Sequence, residues 1–423
     1  MFSTCEERSI TVDASAFYPS IEEYYDTGEL PFYRVGDVDG MIDDKGALRI
    51  PEHLCASYPT LKRVVPGDIL LTKGGAIDRS GYVLVSGAVS RDLIFMKTSH
   101  LPENERLTLF AYFGTDLFRR LLTRSSSQTA QPHLTITLVR TLPMFIGTDR
   151  LSGAVSKCIL KAYQAEDRTY TQIKQAEDAL LAALGLADWT PPEPLSYSAR
   201  ASDASAAGRL DARFFAPRIQ ALLDILGRDG RSLGDLAASR RQKFRPQDSG
   251  TFNYIEIGDI DGAGAATSTP LACADAPSRA TWHVRPNDII TSTVRPIRRL
   301  SAQIAPEQDG FVASSGFVVI HPQQIAPELL LTFLRLPVIC ELLDLYASAS
   351  MYPAVTEAHI LGLPFPEIDA AVEAQVVANI REAREAKGQA AQLLEAAKRA
   401  VEIAIEDGED AALAFLDEAE GID

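Results

Sequence analysis

The sequence predicts an α+β protein in which two tandem β-rich domains are each followed by a long α-helix. Three observations carry this prediction. A nine-residue motif is written twice, as "FYRVGDVDG" at 32–40 and "YIEIGDIDG" at 254–262. Three further landmarks recur in the same order at nearly the same offset. After each copy comes a proline-free stretch of roughly 38 residues with apolar residues at helical spacing.

The landmarks fix the repeat. "VVPGDILLT" (Val64 to Thr72) is answered by "VRPNDIITS" (Val284 to Ser292), pairing Asp68 with Asp288 at an offset of 220. "QPHLT" (131–135) is answered by "YPAVT" (352–356), and "TLPMF" (141–145) by "GLPFP" (362–366), both at 221. Four landmarks in one order at one offset describe a tandem duplication. Within each copy, β-branched runs such as "YIEIGDI", "DIITSTV", "GYVLV" and "GFVVIHP" are bounded by Gly, Pro, Asp and Asn, the pattern of short strands and their turns. Helical spacing marks 107–125 and 327–348, with Pro337 a candidate break in the second.

The Gly-Asp pairs at 36–37 and 258–259 admit two readings. Carboxylates ligate magnesium and transfer protons, so Asp37 with Asp39 and Asp259 with Asp261 are the residues a stand-alone nuclease would use. The simpler reading ends a strand at each pair and lets Asp bond its own backbone in the turn. No basic residue or second acid stands beside them in a recognisable catalytic order, and the simpler reading is preferred.

The long stretches span 148–186 and 367–405. Val155, Ile159, Ala162, Tyr170, Ile173, Ala176, Leu180 and Leu184 line the first; Val372, Val376, Ile380, Ala383, Ala390, Leu394, Ala397 and Val401 line the second. Each predicts a helix of about 55 Å at ~1.5 Å per residue, a length suited to a coiled-coil arm. "ADWTPPEPLSYSARASDASAAG" (187–208) reads as a linker. The expected organisation is a domain over 1–147, a helix and linker over 148–207, a domain over 208–366, and a helix with an acidic tail over 367–423.

Charge and composition bound the function. The net charge of −16 argues against nucleic acid until it is divided. The last 57 residues carry −10, whereas 1–147 carry −3 and 208–366 only −1, so both domains are able to form local basic patches. No apolar run approaches the roughly 20 residues of a membrane span, the first residues lack the pattern of a secretory signal, and the expected location is the cytoplasm. Five cysteines are scattered with no Cys-x-x-Cys, which indicates neither a disulfide framework nor a zinc site.

Domain, helix, domain, helix is the order in which the chain resembles the specificity subunit of a type I restriction-modification system. "YPSIEEYYDTGELPFYRVGDVDG" (18–40) is similar to that family's opening signature, "PGDILLTKGGAIDRSGYV" (66–83) to its central strand and turn, and "SSSQTAQPHLTITLVRTLPMFI" (125–146) to its closing segment. The second copy matches through "LDARFFAP", "PFPEI" and the shared landmarks. It departs at "STVRPIRRL" (292–300), which replaces the Gly-rich "TKGGAIDRSG" (72–81), so the two copies are expected to read different DNA. The tail from Glu406 onward lies outside the resemblance.

The resemblance implies a non-enzymatic DNA reader: two target-recognition domains on an antiparallel coiled coil, each contacting one half of a split duplex site. The implied partners are double-stranded DNA, DNA adenine methyltransferase subunits and a restriction or translocase subunit. S-adenosylmethionine, ATP and Mg2+ would sit on those partners; this chain has no Asn/Asp-Pro-Pro-Tyr/Phe motif, Gly-rich S-adenosylmethionine loop or Walker loop, and no catalytic or metal-binding residue is assigned to it. A related methylation-based phage-defence system, a stand-alone DNA-acting enzyme and a protein-binding scaffold are the alternatives.

Duplex reading needs cations for phosphates and Arg, Gln, Asn or Ser at base edges. The candidates in the first copy are Lys73, Arg79, Arg91, Arg124, Gln128, Gln131 and His133. In the second they are Arg240, Arg241, Lys243, Arg245, Arg295, Arg298, Arg299 and Tyr352, of which the runs 240–245 and 295–299 are the densest.

Overall fold

A strand covered on both faces takes apolar residues at every position, and "ILLT" and "IITS" are such strands. In the computed structural model, which describes residues 2–73, 79–125, 134–246, 249–347 and 354–420, Ile69–Thr72 and Ile289–Ser292 are buried along their whole length. Ile69 and Leu71 face a core built with Leu107, Phe110 and Phe118 from two helices. Leu70 faces the opposite core with Tyr33, Val64 and Val89 from a second sheet. Ile289 and Ile290 divide in the same way between two cores. The architecture is α+β.

The duplication extends to strand order, with one added strand, Gly40–Ile42, at the edge of the first copy's sheet. In the first copy one sheet runs Thr11–Ala14, Leu93–Lys97, Ile69–Thr72, Ser80–Val83, Gly40–Ile42. The second copy runs Ala237–Ser239, Phe317–Pro322, Ile289–Ser292, Ser301–Gln303. The companion sheets are Leu48–Ile50, Leu30–Tyr33, Gly87–Val89, Arg63–Val64, and Thr269–Ala272, Thr251–Ile255, Val312–Ser314, Ala280–His283. In each companion sheet the middle pair is parallel and the flanking pairs are antiparallel. The helices repeat too: Glu103–Phe113 and Asp116–Ser125, then Pro327–Arg335 and Pro337–Tyr346. The stretch 107–125 is thus two helices rather than one, the first ending where the amide of Gly114 bonds the carbonyl of Phe110.

Each landmark has a structural task. Asp37 accepts the amide of Arg34, and Asp259 that of Glu256, both at 2.8 Å. These are carboxylates closing short 3-10 turns after a strand, which is the simpler of the two readings above. Thr135 and Thr356 are N-caps, accepting from the amides of Leu138 and His359. Asp68 and Asp288 are fully buried. Asp68 accepts from the Val65 amide at 3.0 Å and from Lys97 Nζ at 2.7 Å; Asp288 accepts from the Arg285 amide at 2.9 Å and from Arg240 Nε at 2.7 Å. The residue before each is left-handed, Gly67 at φ 88° and Asn287 at φ 68°, and Asn is among the few non-glycine residues that tolerate this region.

Two compact units divide the chain, Met1–Asp167 with Lys387–Asp423, and Arg168–Ala386. The long helices are Asp149–Leu184 and Ala370–Glu406, so each gives part of its length to either unit. In the first unit the Cys158 thiol donates to the carbonyl of Leu393 at 3.1 Å, and Glu166 interacts electrostatically with Lys387. Residue numbers rise along one segment as they fall along the other, so over this stretch the segments run antiparallel. Burial pushes the Glu166 carboxyl up and the Lys387 ammonium down. In the second unit Ala176, Leu180 and Leu184 share a core with Val376 and Ile380.

The acidic C-terminal segment folds back into the first unit. Gly408, at φ 97°, ends the long helix, and Glu409–Glu420 forms another. Its Ala412, Leu413 and Leu416 are buried beside Leu151, Val155 and Val401, while Glu409 accepts from the Thr148 amide at 3.0 Å. An amphipathic helix this short hides in the sequence beneath its charge. The five cysteines are free thiols, and burial pushes those of Cys5 and Cys340 up to about 11.

Removing one partner of a buried ion pair destabilises more than the pair itself stabilises. Asp288→Ala is expected to lower stability by about 2–3 kcal/mol, since Arg240 and the Arg285 amide lose their acceptor while Arg240 keeps some contact with solvent. Asp288→Asn should lose less. Urea unfolding of the three proteins checks this, and an Ala variant within about 0.5 kcal/mol of the parent would contradict it.

Candidate nucleic-acid interface

In the second unit the hairpin between Ile289–Ser292 and Ser301–Gln303 ends in the basic turn. Pro296–Arg298 is one turn of 3-10 helix flanked by two left-handed arginines, Arg295 at φ 50° and Arg299 at φ 59°. Left-handed backbone is unfavourable for a side chain of this size and persists where the surroundings impose it. Here the base of the turn is tied on both sides. The Thr293 amide bonds the carbonyl of Gly316 at 2.8 Å, and the Val355 amide bonds that of Thr293 at 2.9 Å. Arg335 donates to the carbonyls of Arg299 and Ser301 at 2.8 and 3.0 Å.

These ties sort the three arginines. Arg295 and Arg298 are exposed, and neither pairs with a carboxylate among the described residues. Between them Pro296 is buried and Ile297 is 55% exposed. Arg299 turns inward instead, and its guanidinium pairs with Glu177 of the first long helix. Burial pushes the Glu177 carboxyl up, with Arg299 pulling against it, and burial pushes the Arg335 guanidinium down to about 10. Arg299 therefore helps to hold the turn, its charge matched by the half-buried Glu177.

The run 240–245 divides by the period of an extended chain. Lys243 bridges Trp282, the Phe244 amide bonds the carbonyl of Thr281, and that of Gln242 accepts from His283. Alternation puts Arg241, Lys243 and Arg245 on one side, where all three are exposed. The Phe244 and Phe252 rings pack at a tilt with their centres 4.6 Å apart. Arg240 is bound to Asp288 and lies 3.0 Å from His321, so it neutralises the buried acid. Arg241 makes a bidentate pair with Glu357 at 2.9 and 3.0 Å. Because Ala354 bridges Val294, the segment 354–357 brings the end of the 241–245 row to the base of the arginine turn. Tyr352 lies outside the described residues.

In the first unit the corresponding turn begins at Lys73, whose amide bonds the carbonyl of Asp92 at 2.9 Å and whose carbonyl accepts from Leu134. This is the same pair of ties as at Thr293. Lys73 is half-buried, Arg79 and Arg91 are exposed, and the ties bring Lys73 and Arg91 to one place. Arg124 is exposed in the last turn of its helix. Gln128, Gln131 and His133 lie outside the described residues. Sequence reasoning passed over two exposed apolar residues that the structure sets beside these cations, Ile297 and Phe17; a bulky apolar residue within a polar turn is the signal that marks both.

Among the described residues no cluster of three or more His, Cys, Asp or Glu side chains is placed to hold a metal ion, and no helix is long and apolar enough to cross a membrane.

No family model and no curated protein matches the sequence. Among solved structures the chain is similar to the type I restriction-modification S subunit from M. genitalium, at 11% identity and a TM-score of 0.41, over 98% of this chain and 95% of that one. It is also similar to a chain from a structure of type I R-M complex assembly and conformational transition, at 17% identity and a TM-score of 0.28, over 85% and 82%. The HsdS subunit from Thermoanaerobacter tengcongensis matches at 14% identity and a TM-score of 0.27, over 92% and 90%.

The sorting of the arginines predicts two phenotypes. Arg295→Ala with Arg298→Ala should leave the unfolding midpoint unchanged while weakening duplex binding by about 1–3 kcal/mol per lost base contact, or reducing the salt slope by about 1 per lost phosphate contact. Arg299→Ala should lower the midpoint, because the half-buried Glu177 is left without its partner. Thermal melts and salt-dependent binding on both variants check the assignment. Equal melts with equal binding would refute it.

Proposed function

We propose that the chain is a DNA-specificity subunit that reads a bipartite duplex target and directs partner adenine methyltransferase subunits to it, in a type I restriction-modification system or a related methylation-based defence system. One observation carries the reading: two copies that share a four-strand order are tied by the same backbone bonds at Lys73 and Thr293, where their sequences diverge into "KGGAIDR" in one and "TVRPIRR" in the other. A repeated scaffold with a variable tip suits reading two different half-sites with one docking geometry. The motifs at 18–40, 66–83 and 125–146 agree with it.

The chemistry in this reading belongs to the partners. Methyl transfer uses their S-adenosylmethionine, and restriction or translocation uses ATP and Mg2+ on a further subunit. Against a stand-alone nuclease stand Asp37 and Asp259, each of which has an oxygen committed to its own turn.

The long helices give the reading a ruler. Four residues inserted in both helices, between 167 and 168 and between 386 and 387, add ~6 Å at ~1.5 Å each, or between one and two base pairs at ~3.4 Å per pair. Four residues depart little from the ~3.6-residue period, so the apolar stripes stay nearly in phase. Methylation mapping in cells that express the methyltransferase subunits with this variant should show both half-sites unchanged and the gap altered by one or two base pairs. An unaltered gap would remove the ruler. A purified full chain that methylates or cuts DNA unaided, or an assembled complex with no salt-dependent DNA binding, would remove the proposed function.

A further inference from the structure

The first unit contains an open cleft of about 700 Å³. Its walls are aromatic and cationic. Phe17, 76% exposed, and Tyr18 line it beside Arg91, whose guanidinium carbon lies 6.0 Å and 5.2 Å from the two ring centres. Tyr25 and Phe32 stack at 5.9 Å on a further wall. Ser90 also lines the cleft; it is 8% exposed, and its hydroxyl has no hydrogen-bond partner among the described residues. An orphaned buried hydroxyl is costly unless something fills its place. Glu22 and Asp92 add acceptors, and Arg34 adds donors.

We infer that this cleft binds one unstacked nucleobase. A bare phosphate suits it poorly, because Glu22 and Asp92 would face the anion. An apolar peptide side chain suits it poorly as well, because it would leave Ser90 unsatisfied. A nucleobase meets each demand: its faces stack on aromatic rings and on a guanidinium plane, and its edge offers donors to carboxylates and acceptors to hydroxyl and guanidinium groups. The cleft lies beside the proposed reading turn, since the Asp92 carbonyl accepts from the Lys73 amide. A base displaced from the duplex during half-site reading is therefore the natural occupant; that choice of source rests on the proposed function, and a free nucleotide is the other source.

The test has two arms on the full-length chain. In the first, fluorescence anisotropy compares a random-sequence duplex with the same duplex carrying one unpaired nucleotide. The bulged DNA should bind roughly fivefold or more tightly, the lower end of what one stacked base contributes. Arg91→Lys, which keeps the charge but loses the planar stack, and Phe17→Leu should both abolish this preference, so that bulged and paired duplexes bind each variant alike. In the second arm, saturation-transfer NMR with dAMP and dCMP should give transfer to the base protons in the parent and not in Arg91→Lys. Bulge preference that depends on Arg91 supports the inference with DNA as the source. Arg91-dependent dAMP or dCMP transfer without binding of any DNA keeps the nucleobase site and removes the DNA-reading function. Equal affinity for both duplexes together with no nucleotide transfer overturns the inference and leaves the function standing.

Discussion

Two fully buried aspartates govern both β units. Asp68 and Asp288 sit where the chain turns into its central strand, and each caps the turn amide on one side and meets a cation on the other. A buried carboxylate is tolerated only when its charge is matched and its lone pairs are filled, so this one residue prescribes the turn before it, the strand after it and a cation brought within reach. The cation differs between the copies. Lys97 comes from Leu93–Lys97 in the first, whereas Arg240 follows Ala237–Ser239 in the second. The duplicated copies have kept the requirement and changed its provider.

The hairpin that begins at this turn ends at the candidate reading surface, so register set at one end places residues at the other. In the second unit the far end is clamped by Arg335, Arg299 and Glu177. Arg335 and Glu177 are buried enough that desolvation dominates the shift of each ionisation. Glu177 belongs to a long helix, which makes the helix part of the turn's support. In the first unit Lys398 of the other long helix packs at Gly114, where an added Cβ would lie 2.9 Å from its Cε. Lys398 stands 221 residues after Glu177, the offset of the repeat itself. The long helices thus meet the rest of each unit at corresponding positions, through an ion pair to the hairpin in one and close packing on a short helix's end in the other.

Much of this was legible in the sequence. The duplication, the strand-and-turn texture, the Asp turns and the two long helices all follow from local rules: periodicity, the punctuation of Gly, Pro and Asp, and the 3.6-residue stripe of 149–184 and 370–406. Such signals survive in one dimension because each depends on neighbours within a few residues. The residues 295–299 were also legible as a basic turn.

Which arginines face outward was decided only by tertiary structure. Arg295, Arg298 and Arg299 are alike in the sequence, yet one of them meets Glu177, a partner 122 positions away. Arg240 and Arg241 are adjacent, yet one neutralises a buried acid while the other is exposed beside Glu357. The C-terminal helix was hidden in the same manner, because Ala412, Leu413 and Leu416 are buried by a core assembled from the start of one long helix and the end of the other. The sequence by itself determined which segments become strands, turns and helices. The pairing of charges and the burial of weak apolar faces depended on distant segments meeting, since Coulomb attraction and water exclusion act through space and leave no periodic mark along the chain.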